Sequence, residues 1–403
     1  MLNDSEKIIA EQSRFNKQNR PKFGLSSVAI VTHTFATGQA QEFRDYLIEH
    51  GHATAFIGLP LYPHNPSRRA EARFFNGGNI LKEFLSLPSF GPLLLRLVFD
   101  LVFTLFAFIR FRRRFDIFYG ANAFNALIGV VLKRTGLVRK VVFNTVDYSP
   151  RRYNNSALNA LYHWADRMAC YKSDQVWNLS PNMQDGRVDN GLDLHRSAPQ
   201  IEVPIGCRFK GIDRFPLEKI ARHTVVYMGH LVEEQGVDLL LNAWPLVIKL
   251  VPDAKLEIIG SGFLLTSLKE KAENELPKGG VIFHGFVDSH RDVEKMLARC
   301  AIGVAPYPPD PQGFKQYADP GKIKHYMACG LPVITTNVTP AAAKIQEFRS
   351  GKVVDYDATA LGNAIAELLL DNTTYAQMRE NAISFASNHE WSQIFERALN
   401  GLN

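Results

Sequence analysis

The chain alternates, twice over, between short runs rich in Val and Ile and longer amphipathic stretches, and this rhythm leaves few folds open. Ser26–Thr32, His52–Leu59, Phe115–Gly120, Arg139–Asp147 and Gln175–Ser180 read as strands. Between them Gly38–Gly51, Ala123–Gly136 and Ser156–Asp174 carry apolar residues at helical spacing. The rhythm pauses over residues 186–222. It restarts with Thr224–Gly229, a helix over 236–250, Lys255–Gly262, Gly279–Gly285, a helix over 293–299 and Ala301–Tyr307. Leu331–Thr336, Gly351–Asp355 and two final helices follow. Strands alternating with helices imply parallel sheets buried on both faces. The expected fold class is therefore α/β, with two doubly wound Rossmann-like domains facing a central cleft. The expected organisation is a polar N-terminal tail (1–24), a first domain (25–205), a linker (206–222) and a second domain (223–388). A C-terminal helix (389–403) would cross back to the first domain.

Composition narrows the class. The 403 residues are 46% hydrophobic and 21% charged, which excludes a disordered or collagen-like chain. Four cysteines form no C-x-x-C pair, which excludes a zinc ribbon and suits a reducing compartment. The first 24 residues contain no apolar core of a signal peptide. Residues 1–200 hold 25 Lys/Arg against 16 Asp/Glu, whereas the remainder hold 21 against 24. The basic half is expected to face an anionic partner.

Ligands of doubly wound sheets sit at the carboxyl ends of strands, and several residues fall there. Tyr307 ends a strand. After a Pro-rich loop, Pro320-Gly321 opens a helix that stops at Gly330. Lys322 lies in its first turn, opposing the helix dipole, so a bound anion is expected there. Asp147 directly follows an apolar strand. A carboxylate at a strand end suits a general base that deprotonates an attacking hydroxyl; pairing with Arg151 or Arg152 is the structural alternative. Those arginines could also hold an acceptor pyrophosphate. Between the first strand and its helix, His33 offers a polar contact and Gly38 a close backbone approach. Gly260-Ser261-Gly262 follows another strand. No G-x-G-x-x-G follows the first strand, which disfavours a dinucleotide oxidoreductase.

The segment from Pro92 to Phe115 is long and apolar but carries Arg96 and Asp100, spaced to pair on one helix face. Each charge costs about 3 kcal/mol at a bilayer centre. An amphipathic, partly exposed helix beside Arg110, Arg112, Arg113 and Arg114 is expected instead, in peripheral contact with an anionic membrane. Asp355-Tyr356-Asp357 is read as a surface turn. No metal site, nucleic-acid partner or cofactor is expected.

Pro320–Ile334, PGKIKHYMACGLPVI, resembles the nucleotide-sugar motif P-x-K-hydrophobic-x-E-Y-M-A-x-G-x-P-V-I of GT-B glycosyltransferases. The nearest likeness is to the bacterial polysaccharide-building, glycogen-synthase-like group, with similarity also to the xanthan-type glucuronosyltransferase. Tyr227–Trp244, Lys255–Gly262 and His389–Leu399 extend the resemblance over the chain. It implies that Gly229, His230, Gly262, Phe286, Tyr307, Tyr317, Asp319, Gly321, Lys322 and His325 surround the donor. Lys322 would neutralise the diphosphate and Phe286 would pack on the nucleobase. His325 stands where the family has a ribose-binding Glu. Tyr317 stands where a second Glu lies near the donor sugar, with Asp319 as a substitute. The family's Arg and Lys after the first strand of this half are His230 and Gln235 here, leaving Lys322 as the main phosphate cation. The implied activity is transfer from a UDP- or GDP-sugar to a glycan or polyprenyl-linked acceptor, by a cytoplasmic protein peripheral to the inner membrane. A nucleotide-sugar epimerase and a non-catalytic scaffold of the same fold are the alternatives.

Overall fold

The computed structural model describes residues 27–34, 38–60, 68–309 and 313–402. The tail expected over 1–24 lies outside them. The chain forms two compact units. The first ends at Val203 and regains Ile394–Asn403; the second is Pro204–Gln393.

The first unit runs β1 (Ser27–Thr34), α1 (Gln39–Glu49), β2 (Ala53–Pro60), β3 (Glu71–Asn76), β4 (Asn79–Leu85), α2 (Leu93–Phe111) and β5 (Phe115–Gly120). It continues with α3 (Ala123–Arg134), β6 (Val138–Thr145), α4 (Ser156–Lys172), β7 (Gln175–Asn178), α5 (Asn182–Asp189) and β8 (Gln200–Glu202). Its sheet has the order β4-β3-β2-β1-β5-β6-β7-β8. The switch in strand order falls at β1, which pairs in parallel with both β2 and β5. Ala29, Val31, Ile57 and Phe118 of these strands pack with Phe103, Ala107, Phe108 and Phe111 of α2 in one apolar cluster.

Two expectations need correction here. The stretch between β2 and α2, where the sequence pattern marked no strand, contains an antiparallel hairpin, β3–β4, so the sheet is not purely parallel as expected. Its turn is Gly77-Gly78, both at positive φ, as a two-residue hairpin loop requires. The pause over 186–222 is also not without regular elements. It holds the end of α5 and the three-residue edge strand β8, too short to show a period. Residues from Pro204 onward belong to the second unit, where the Ile205 N–H donates to Asp319 Oδ2 at 2.7 Å.

The second unit runs β9 (Ala221–Met228), α6 (Val237–Leu250), β10 (Lys255–Ile259), α7 (Leu265–Glu275), β11 (Val281–Gly285), α8 (His290–Arg299) and β12 (Cys300–Ala305). Then come α9 (Gly321–Ala328), β13 (Val333–Thr336), α10 (Ala341–Glu347), β14 (Gly351–Val354), α11 (Ala358–Leu370), α12 (Asn372–Ser387) and α13 (Trp391–Asn400). From Ile394 onward α13 belongs to the first unit. The sheet order β11-β10-β9-β12-β13-β14 is that of a dinucleotide-binding fold. Its switch point lies between β9 and β12, so the loops after Met228 and Ala305 flank the expected ligand position. Asp357 accepts a hydrogen bond from the Ala360 N–H and so caps α11.

Candidate donor site in the second unit

The site is built where β9, β10, β11 and β12 end. Beyond β12, the loop to α9 leads to Pro320, whose lack of a capping side chain leaves the helix N-terminus open. The first N–H groups of α9 therefore have neither intrahelical partner nor side-chain cap, an arrangement that favours an anion. Lys322 stands in this turn. Its Nζ donates to Gln235 Oε1 at 2.6 Å and to the Tyr227 hydroxyl at 3.3 Å. It also lies 4.6 Å from the Tyr227 ring centroid and 5.3 Å from that of Tyr307. Both hydrogen-bond partners are neutral. Burial, followed by the nearby charge of Lys315, pulls the Lys322 pKa from 10.5 down to about 7.

Gly229 makes this arrangement possible. It has φ 148°, and a Cβ there would come within 2.8 Å of Lys322 Nζ. Gln235 is delivered by a single 3₁₀ turn over Glu233–Gln235 that ends at Gly236. A Cβ at Gly236 would lie 1.8 Å from the Pro306 carbonyl oxygen, so the loops after β9 and β12 touch backbone to backbone.

Beside the lysine, a pocket of about 220 Å³ is lined by Met228, Gly229, His230, Gly260, Phe286 and His290, among others. Phe286 is 70% exposed, a free aromatic face on the pocket wall. His325 packs near it, its ring stacked 6.0 Å from that of His290. Its Nδ1 donates to the Gly321 carbonyl at 3.1 Å, leaving Nε2 as an acceptor. Burial holds its imidazole below the ordinary histidine range, so the ring is neutral at pH 7.

The structure thus brings Gly229, Gly321, Lys322 and Tyr307 together and places His230 and Phe286 on the adjoining pocket. Asp319 is corrected. It is buried, one oxygen pairing with Lys324 Nζ and the other accepting from Ile205. Both oxygens are thus engaged inside the unit, with Lys324 and with the Ile205 N–H. Tyr317 is half-buried in the same loop, its N–H donating to the Phe314 carbonyl at 2.9 Å. Gly262 is pressed against the Leu231 carbonyl and lends its smallness to its own chain. Tyr227, Gln235, Lys315 and His290 were not anticipated. The signal for Gln235 was its place just before Gly236.

In the first unit, Asp147 lies just past β6 with 48% of its side chain exposed, paired to Arg152 Nη1 at 2.7 Å. Arg151 is exposed beside it. Gly38 is the N-cap of α1, its N–H donating to Gln41 Oε1 at 3.0 Å. A Cβ there would meet nothing nearer than 3.7 Å, so no crowding within the described residues calls for glycine. His33 is held on both sides. Asn122 Oδ1 accepts from the Asn125 N–H, which turns Nδ2 toward His33 Nδ1 at 3.0 Å. Nε2 then donates to Asp100 at 3.3 Å. Asp100 therefore serves His33, 67 residues away, and not Arg96 as expected.

Helix α2 divides into two faces. Phe103, Ala107, Phe108 and Phe111 are buried, while Leu95, Val98, Val102, Phe106 and Ile109 form an exposed stripe. Arg112 ends it in the left-handed conformation, and Arg110, Arg112, Arg113 and Arg114 are all exposed. No helix among the described residues is long and apolar enough to cross a membrane.

Residues 222–371 match the family described as Glycosyl transferases group 1. The chain is 27% identical over 274 residues to a GDP-mannose-dependent alpha-(1-6)-phosphatidylinositol monomannoside mannosyltransferase of Mycolicibacterium smegmatis, covering 65% of this chain and 69% of that protein. It is 25% identical over 184 residues to a poly(glycerol-phosphate) alpha-glucosyltransferase of Bacillus subtilis, a match spanning 45% of this chain and 26% of that one. Among solved structures, Anabaena HepE in complex with UDP superposes with TM-score 0.64 at 14% identity, covering 94% of this chain and 99% of its own. An Escherichia coli trehalose-6-phosphate protein bound with UDP-2-fluoro glucose gives TM-score 0.68 at 12% identity, covering 94% and 99%. Together these likenesses show the GT-B fold and support a glycosyltransferase, with residues 222–371 of the second unit matching the group 1 glycosyl transferase model.

Proposed function

We propose that the second unit binds a UDP- or GDP-sugar and that the first unit takes a lipid-linked or glycan acceptor at an anionic membrane face. The carrying observation is Lys322, a half-buried ammonium at an uncapped helix tip with only neutral hydrogen-bond partners. The diphosphate would sit on that tip, where fixed positive charge offsets the negative charge that grows on the leaving group. No resident cofactor or metal enters this scheme. The nucleoside would enter the pocket bearing Phe286 and His290, with His325 Nε2 accepting from a ribose hydroxyl. The match of residues 222–371 to a glycosyl transferase family favours this reading over the epimerase and scaffold alternatives. Calorimetry with UDP and GDP, followed by mass spectrometry of products from a donor panel with lipid extract, tests it. Binding of neither nucleotide would remove the donor site.

Asp147 is the proposed acceptor base, the exposed carboxylate at a strand end of the first unit. It pairs with Arg152 Nη1 at 2.7 Å, and an acceptor pyrophosphate would draw the arginine away. With Asp147 as base, transfer inverts the anomeric centre. Asp147→Asn is expected to abolish transfer while donor affinity stays within about twofold, since an amide cannot accept the hydroxyl proton. An Asn variant that still turns over would move the base elsewhere.

Membrane contact is assigned to the exposed stripe of α2 with its four arginines. Basic residues at an anionic surface contribute about 1 kcal/mol each. The protein is expected to sediment with phosphatidylserine-containing vesicles and not with phosphatidylcholine alone. Ile109→Glu, at the 69% exposed end of the stripe, should release it. Equal sedimentation with both vesicle types, or none with either, would refute the contact.

A further inference from the structure

Exposed apolar side chains are concentrated in one stretch of the first unit. Of the 24 large hydrophobic side chains exposed among the described residues, ten lie between Ile80 and Ile109. Five of these form the α2 stripe. The other five, Ile80, Leu81, Leu85, Leu87 and Phe90, lie on β4 and on the segment that leads to α2. Such a concentration marks an interaction surface. Hairpin and helix are joined. The Phe84 ring lies 5.8 Å from that of Phe106, a stripe residue. Lys82 Nζ donates to the Arg110 and Phe111 carbonyls at the end of α2. The Ser86 and Ser89 N–H groups donate to the Ala70 and Arg68 carbonyls, which fixes the connecting segment.

Charge and backbone select the partner. Residues 68–114 hold nine Lys/Arg against three Asp/Glu. Each acid is engaged, Glu71 and Glu83 by Arg73 and Asp100 by His33. The surface is therefore apolar and net positive, which suits an anionic bilayer. As the edge strand of its sheet, β4 could instead pair with a second copy. It is bulged, however. Phe74 lies opposite Lys82 and Phe75 opposite Ile80, so the ladder skips Leu81. A bulged edge that carries a lysine resists strand pairing. Nor can that edge enter hydrocarbon, where its outer N–H and C=O groups would find no partner. The depth left to it is the headgroup layer. We propose that the β3–β4 hairpin and the segment after it form a second lipid-facing element, which seats the first unit edge-on in the headgroups of an anionic membrane. The inference rests on the membrane reading of α2 above and adds an orientation to it. The β4 edge of the sheet faces the bilayer and the β8 edge faces away.

The test uses the full-length protein with Leu87→Cys, Ile109→Cys or Leu194→Cys, each labelled with an environment-sensitive dye. The four native cysteines are buried. Leu194, exposed in the segment before β8, is the control. On phosphatidylserine-containing vesicles the dye at positions 87 and 109 should shift to the blue, and the dye at 194 should not. Leu87→Glu should weaken vesicle partitioning by about 10-fold or more, the scale of one leucine side chain removed from water. Its melting temperature should be unchanged, because Leu87 is already 80% exposed. A blue shift at 109 alone, a shift at all three positions, or wild-type partitioning of Leu87→Glu overturns the proposal and leaves the α2 contact standing. A dimer seen by light scattering that Leu87→Glu splits would give the surface to a second copy, and overturns it too. A wild type that does not bind these vesicles overturns both the proposal and the α2 contact.

Discussion

Lys322→Ala is expected to cut turnover by about 100-fold or more, the scale on which one electrostatic contact to developing charge is lost. The variant also loses the hydrogen bonds to Gln235 and Tyr227 that seat the ammonium, so diphosphate affinity should fall with it. The depressed pKa supplies a second signature. In the free protein Lys322 titrates at about 7, first because it is buried and then because Lys315 is near. A bound diphosphate favours the protonated form, so affinity should fall as pH rises past about 7, with proton uptake on binding between pH 7 and 9. Calorimetry in buffers of different ionisation enthalpy reads that uptake directly. Stability of the ligand-free protein should move the other way. The unfolded chain, with its lysine near 10.5, binds the proton more readily over that window, so this group's contribution rises as pH climbs from about 7 toward 10.5. Affinity that stays flat from pH 6 to 9, without proton uptake, would separate Lys322 from the diphosphate.

The largest expected loss of stability comes from the first unit. Arg187 is 1% exposed and is gripped by Asp166 through two bonds, Nε to Oδ2 at 2.7 Å and Nη2 to Oδ1 at 3.0 Å. Its remaining donors reach Asn178 Oδ1 at 2.7 Å and Thr145 Oγ1 at 2.6 Å, and the guanidinium lies 5.4 Å from the Tyr148 ring centroid. Asp166→Ala leaves that cation buried without its counter-charge, at a cost of about 3–5 kcal/mol. Asp166→Ala with Arg187→Met should recover much of the loss, because no charge is then stranded. Denaturant titration of the three proteins decides the matter, and a loss below about 1 kcal/mol for the single variant would contradict it. The network also bears on catalysis. Thr145 and Tyr148 flank Asp147, so the same variant should weaken transfer through misplacement of the proposed base.

The second unit was the more legible of the two. Its strands are short apolar runs, three of them ended by Gly229, Gly260 or Gly285, and Lys322 announced itself by sitting against the dipole of a helix with no acid in its first turn. The β3–β4 hairpin hid because β4 is almost wholly exposed and has no apolar face to alternate. The Gly77-Gly78 pair was its one clear signal. Lys315 hid in a Pro-rich loop with no period to say which way a side chain points. Asp319 was misjudged because its partners, Lys324 and Ile205, are fixed by packing that spacing along the chain does not reveal. The tie between His33 and Asp100 joins a strand end to a distant helix, and no local pattern encodes such a meeting.

The segment after Gln393 has a consequence for the order of assembly. Phe395 packs 4.9 Å from Phe43 and 5.5 Å from Tyr46, and the Gly401 carbonyl accepts from Gln175 Nε2 at 3.2 Å. These contacts finish the interior of the first unit with residues the ribosome adds only after the whole of the second. The half translated earliest must therefore wait, part-built, until its neighbour has emerged.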